Sequence, residues 1–208
     1  MAESIQKQVA KAVNLLKRGG VVAFPTDTVY GLGALPSDVE AVKRIYEVKQ
    51  RPLSMAMPLL LADAAEIEKV AVNISRAARL LICRYWPGAL TLVCEKQDWI
   101  PDLVTAGGKT IALRVPDNRI ALALIKGTGM PLIGTSANKS GSPSPITADE
   151  VKAQIGSKID YIIDGGTTPL MIESTIVDVT SDPPKIIREG AISRKDIEST
   201  ISGNQGVI

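Results

Sequence analysis

The chain contains no histidine. That removes the side chain whose ordinary pKa lies nearest neutrality, and with it Ser-His-Asp catalysis and histidine-ligated zinc. Cysteine is scarce too. Cys83 and Cys94 form no C-x-x-C pair and lie in apolar runs, so both are expected as buried free thiols. Aromatic residues make up 3% of the chain, with one phenylalanine and no RNA-recognition motif. A formal charge of +2 is too small to capture nucleic acid by bulk electrostatics, although local basic patches are compatible with it. No apolar run reaches the roughly 18 residues of a membrane span. The start, MAESIQKQVAKAV, is polar and helical rather than a signal peptide, so the location is expected to be cytoplasmic, with no membrane partner. Repeats, low-complexity tracts and linkers are absent.

What is present is an ordinary soluble composition, 45% apolar and 22% charged in 208 residues. A chain of this size buries roughly 70% of its unfolded surface. One domain over residues 1–200 is expected, followed by a flexible tail, 201–208. Ile5, Val9, Ala12, Val13 and Leu16 form the stripe of an amphipathic helix, capped by Ser4. Further helices are expected over Asp38–Val48, Ser75–Arg84, Asp117–Lys126 and Asp149–Gln154, and a short one near the end. Strands are expected at Val21–Phe24, Met55–Leu61, Ala89–Cys94, Thr110–Val115, Met130–Ile133, Tyr161–Ile163, and in an adjacent pair, Ser174–Val179 with Lys185–Arg188. The fold class is therefore α/β: a single-domain, twisted, mixed sheet of about seven strands with flanking helices and an open ligand cleft.

Two segments leave strand ends rich in hydroxyls and glycine. Pro25 to Gly33 is one. The other is Gly134 to Pro145, GTSANKSGSPSP, with five hydroxyls, an amide and a cation in twelve residues. Glycine and proline at this density exclude a helix, and loops at strand ends of α/β sheets are where ligands bind. Familiar motifs nevertheless fail. Gly108-Lys109-Thr110 ends like a P-loop, but the required upstream glycine is Leu103 and a strand follows. Gly31-Leu32-Gly33-Ala34-Leu35-Pro36 places proline where a dinucleotide fingerprint needs glycine. Ser136-Ala137-Asn138-Lys139 fits S-x-x-K, whose nucleophilic serine requires a helical turn that this composition opposes.

Four cations stand beside these loops rather than on helix faces. Lys49 and Arg51 follow a helix end, Arg114 lies within an apolar strand, and Arg188 closes another. An arginine among apolar neighbours is costly unless it meets an anion. Together with the hydroxyls, the four describe an anion-binding cleft. Without histidine, chemistry there rests on positioning and charge stabilisation, as in phosphoryl and nucleotidyl transfer.

Seven short motifs in order carry a resemblance over about Gly19 to Gly190. They are Phe24-Pro25-Thr26-Asp27-Thr28-Val29-Tyr30-Gly31-Leu32-Gly33, Lys49-Gln50-Arg51-Pro52, Trp86-Pro87-Gly88-Ala89-Leu90-Thr91 and Leu113-Arg114-Val115-Pro116, then Ser136-Ala137-Asn138-Lys139-Ser140-Gly141, Ser174-Thr175-Ile176-Val177-Asp178 and Arg188-Glu189-Gly190. On these residues the chain resembles the threonylcarbamoyl-AMP synthase (YrdC-like) family, and its single-domain members in particular. The resemblance implies a nucleotidyltransferase that makes threonylcarbamoyl-AMP and pyrophosphate from threonine, bicarbonate and ATP, with magnesium on the phosphates. A separate transferase would use the product to modify tRNA. It implies threonine contacts from Thr28, Arg114 and Ser174, and catalytic Lys49, Arg51, Ser136 and Asn138. ATP contacts are implied from Arg51, Thr110, Ser136, Ser144 and Arg188. No metal ligand is assigned, and Asp27, Glu173 and Asp178 are read as loop or strand-cap residues. At Met55 and Ala56 the chain departs from members that carry Lys or Asn and then Pro. The alternative reading is a tRNA or double-stranded RNA-binding module without catalysis.

Overall fold

The computed structural model describes residues 3–203. It opens with α1 (Ile5–Leu16), the hairpin β1 (Val22–Phe24) and β2 (Gly31–Gly33), α2 (Val39–Lys49) and β3 (Leu59–Leu60). Next come α3 (Ile67–Val70), β4 (Ala71–Val72), α4 (Arg76–Tyr85), β5 (Leu90–Lys96), α5 (Asp102–Thr105) and β6 (Thr110–Arg114). Then follow α6 (Arg119–Thr128), β7 (Leu132–Ile133), β8 (Thr135–Ser136), α7 (Ala148–Ile155) and β9 (Tyr161–Ile162). The last elements are β10 (Thr175–Asp178), β11 (Lys185–Arg188) and α8 (Arg194–Ser202). Helix starts follow from local chemistry: Ser4, Asp38, Ser75 and Asn118 each accept a hydrogen bond from a backbone N–H in the first turn of α1, α2, α4 and α6.

A mixed seven-stranded sheet runs β11-β10-β5-β6-β3-β7, with β4 on β5. This is the mixed sheet with flanking helices that the sequence leads one to expect. A second, four-stranded sheet, β8-β2-β1-β9, is additional. It arises because the two polar segments are not wholly loops: Gly31 and Leu32 pair antiparallel with Ser136 and Thr135. Their period-2 pattern is too short to register as strands, yet pairing satisfies backbone groups that would otherwise be buried without partners. Gly134 precedes this ladder, and a Cβ there would run into the Leu60 side chain.

The larger core cluster gathers Tyr30, Leu32, Ile45, Leu59, Leu81, Leu90 and Leu92 between the sheets and α2, α4 and α5. A smaller one joins Leu16 of α1 to Leu124 and Ile125 of α6 over Phe24 and Leu132. Among the described residues no helix is long and apolar enough to cross a membrane.

Three expectations change. Of Met55–Leu61, only Leu59–Leu60 is strand; the carbonyls of Met55 and Ala56 accept from Arg51 at 3.1 and 2.8 Å instead of entering a ladder. Cys94 is buried but Cys83 is exposed, because α4 buries Ala78 and Leu81 and turns position 83 away from that stripe. Helix α8 includes Ile201 and Ser202, the first residues of the expected tail, and Gly203 follows as its cap; residues 204–208 lie outside the described residues.

Candidate active site

One cleft of about 580 Å³ opens over the face of the large sheet. Lys49, Arg51, Arg114 and Arg188 all line it, although they come from three separate segments of the chain. Its floor is strand-borne: Thr91 and Val93 from β5, Ala112 and Arg114 from β6, Ile176 from β10 and Leu60 from β3.

Arg114 ends β6 and is 7% exposed. Its Nε donates to the Gly88 carbonyl at 2.9 Å, Nη1 to Thr28 Oγ1 at 2.8 Å and Nη2 to Asp27 Oδ1 at 2.5 Å. The Trp86-Pro87-Gly88 motif therefore has a mechanical role. The Trp86 indole donates to the Leu90 carbonyl and the Gly88 N–H to Val115, which aims the Gly88 carbonyl at the guanidinium. The hydroxyl network beside it has a definite direction. Thr26 Oγ1 donates to the Val29 carbonyl at 2.7 Å and so accepts from the Thr28 hydroxyl at 3.0 Å. Two further donors on Arg114, one on each Nη, are uncommitted to these partners. The Asp27 carboxylate is thus a buried counter-ion that also caps the loop after β6, accepting from the Asp117 N–H at 3.2 Å.

Lys49 is 1% exposed at the last position of α2. Its ammonium donates to the carbonyl of Ser136 at 2.5 Å, to that of Asn138 at 2.9 Å and to Asn138 Oδ1 at 3.1 Å. All three protons are spent on the loop. Burial, and then the neighbouring Arg51 charge, push its pKa down to about 8, with Glu173 acting in the opposite direction. The backbone repeats the clip, since Lys49 also accepts from the Ser140 N–H at 2.8 Å. Gln50 then reverses the chain in the left-handed region at φ 51°, which returns Arg51 toward the cleft. Ser136 Oγ donates to Asn138 Oδ1 at 2.7 Å, and the Asn138 amide donates to the Ser142 carbonyl at 2.6 Å. The Ser136 hydroxyl is therefore engaged by Asn138, not Lys139, and nothing in the geometry activates it as a nucleophile.

On the far wall Arg188 donates through Nε and Nη2 to the Ser174 carbonyl at 3.2 and 2.9 Å, and through Nη1 to Glu173. Ser174 Oγ and Thr91 Oγ1 share a buried hydrogen bond of 2.8 Å. Two sequence candidates fall outside the lining. Ser144 reaches the site only through Glu173, to which its hydroxyl donates at 2.6 Å. Thr110 starts β6 opposite Glu95, with Ala112 between it and Arg114 on the same strand face, because the cleft lies at the other end of that strand. Conversely, Thr26, Thr91 and Glu173 line the cleft without having been singled out as site residues. Thr26 lies in the Phe24–Gly33 motif and Thr91 in the Trp86–Thr91 motif; Glu173 has only its place before Ser174 to mark it.

These features define an α/β protein with a concave cleft lined by fixed cations and oriented hydroxyls. The family model Sua5_yciO_yrdC, described as "Telomere recombination", matches residues 14–190, and the chain belongs to that family. It is 44% identical to the threonylcarbamoyl-AMP synthase of Bacillus subtilis over 93% of this chain and 56% of that protein. The crystal structure of P. abyssi Sua5 complexed with L-threonine superposes with a TM-score of 0.92 at 41% identity, covering 97% of this chain and 59% of that one. E. coli YciO gives a TM-score of 0.83 at 31% identity, covering 92% and 93% of the two chains. The chain thus spans little more than half the length of the first curated relatives it matches, at 56%, 56% and 52%.

Proposed function

We propose that the protein is a threonylcarbamoyl-AMP synthase, a nucleotidyltransferase of the cytoplasm. The observation that carries this reading is the convergence of Lys49, Arg51, Arg114 and Arg188 on one cleft lined by hydroxyls. The relatives named for the same activity, and the threonine complex of the P. abyssi protein, support it.

Chemistry divides the cleft. The α-carboxylate of threonine takes the free N–H groups of Arg114 beside Thr28, and Ser174 with Thr91 faces the rest of the amino acid. The threonine amine adds to bicarbonate with loss of water, giving a carbamate. A carbamate oxygen then attacks the α-phosphorus of ATP, and pyrophosphate leaves. Arg51 offsets charge on the phosphates, while Ser136 and Asn138 orient the reacting groups and Lys49 holds the loop that carries them. Ser144 and Arg188 are assigned to the nucleotide. Thr110 keeps only the family resemblance as support for a nucleotide contact.

Among the described residues no group of three or more His, Cys, Asp or Glu side chains could hold a metal. Asp27 and Glu173 are both committed to arginines. Magnesium accordingly fits as part of the substrate, arriving on the ATP phosphates. The product would pass to a tRNA threonylcarbamoyl transferase.

The test is pyrophosphate release from MgATP by purified protein. It should require both threonine and bicarbonate, and the adenylate should be recovered by mass spectrometry. Release independent of threonine, or no adenylate with all three substrates present, would exclude the proposal.

A further inference from the structure

Ser144 and Arg188 share one partner. Glu173 takes Arg188 Nη1 on Oε2 and the Ser144 hydroxyl on Oε1, the latter at 2.6 Å. An arginine on one oxygen and a hydroxyl on the other is the donor set that a phosphate group would use. The carboxylate is not required to aim Arg188, because the Ser174 carbonyl already receives two of its N–H groups. Glu173 also faces the cleft, and its charge is felt at Lys49. The Arg188 and Glu173 side chains are 40% and 38% exposed, so an ion from solvent can compete for the pair.

We propose that Glu173 is a resident anion, holding the phosphate position at Arg188 and Ser144 until an anionic ligand displaces it. The proposal rests on the nucleotide reading above and deepens it. Nucleotide binding on this wall becomes an exchange of one anion for another. The donors stay oriented in the free protein, and affinity is lowered by the competition.

Titration calorimetry of the whole chain with pyrophosphate, ATP and threonine tests this on wild type, Glu173→Gln, Arg188→Gln and the double variant. Glu173→Gln keeps an acceptor for Ser144 but removes the competing charge. It should bind pyrophosphate about three- to fivefold more tightly at low salt, the scale of a half-exposed ion pair. Threonine affinity should not move. In the Arg188→Gln background the gain should vanish. Unchanged or weaker pyrophosphate binding by Glu173→Gln overturns the proposal. So does an equal gain without Arg188, which marks a general charge effect, and so does the absence of pyrophosphate binding in every variant. A pyrophosphate response in protein that binds no ATP would keep the resident anion and exclude the nucleotide reading.

Discussion

Lys49 brings three ammonium protons to three acceptors in a buried position, so its charge state controls the geometry of the 136–138 loop. Its pKa of about 8 places the loss of one proton just above neutrality. A neutral amine has two N–H groups for three acceptors, so kcat should fall on a basic limb near pH 8; a profile flat to pH 10 would remove the ammonium from the requirement. Stability moves the other way for this group. Between about 8 and the ordinary lysine value of 10.5 the unfolded chain holds a proton that the folded chain lacks, so the Lys49 contribution to stability rises with pH across that window. Lys49→Met should depress kcat by displacing Ser136 and Asn138 together. Arg114 presents a different problem. Removing either member of the buried Arg114–Asp27 pair leaves an unpaired charge, so Asp27→Ala should cost about 3–5 kcal/mol in urea unfolding. Arg114→Lys preserves a cation but loses the fork, and should raise KM for threonine far more than KM for ATP. Equal effects on both substrates would refute the threonine assignment.

At the scale of elements, the site is built by clips between segments. The C-terminal end of α2 is fastened to the 136–142 loop, and Arg51 fastens the 55–56 turn through its carbonyls. Those carbonyls are present whatever side chains stand there, so the substitutions at Met55 and Ala56 leave this fastening intact. The β10–β11 pair carries Ser174 and Arg188 to the opposite wall. Gly190 closes behind it, and a Cβ at that position would collide with the carbonyls of both Glu173 and Ser174. Gly190→Ala should therefore lower stability by about 1–3 kcal/mol. It should also weaken ATP more than threonine, because the carbonyl that aims Arg188 must shift. Thermal unfolding with parallel substrate titrations would check both, and an unaltered ATP affinity would show that the pair tolerates the shift.

For the whole molecule, two sheets meet along the cleft, and the ligands would bind groups from both. Binding of MgATP and threonine should therefore stabilise the folded chain by mass action, about 2.7 kcal/mol when ligand is at 100 times its Kd. Differential scanning calorimetry with each substrate reads this directly. The RNA-binding alternative makes a different demand. It requires a tRNA affinity that falls steeply with salt, whereas the net charge of +2 argues for a weak and shallow dependence.

The chain's local chemistry determined a great deal by itself. Capping residues and apolar stripes place the long helices to within a residue or two, since those signals act over one turn. The residue types of the cleft were legible as well: the cations and hydroxyls picked out beside strand ends, Lys49, Arg51, Arg114 and Arg188 with Thr28, Ser136 and Ser174, do line one cleft. Tertiary structure alone decided which cations are free to use. Arg114 meets Asp27 across 87 positions of sequence and Lys49 meets Asn138 across 89, separations that no local pattern encodes. The pairing of Gly31-Leu32 with Ser136-Thr135 was equally hidden, because a two-residue ladder has no periodicity to read. Thr110 left the cleft lining for a geometric reason: a strand face repeats every second residue, but a cleft covers only one end of it. Glu173 carried no local signal beyond its place before Ser174. Its function as counter-ion exists only where β11 returns Arg188 to it.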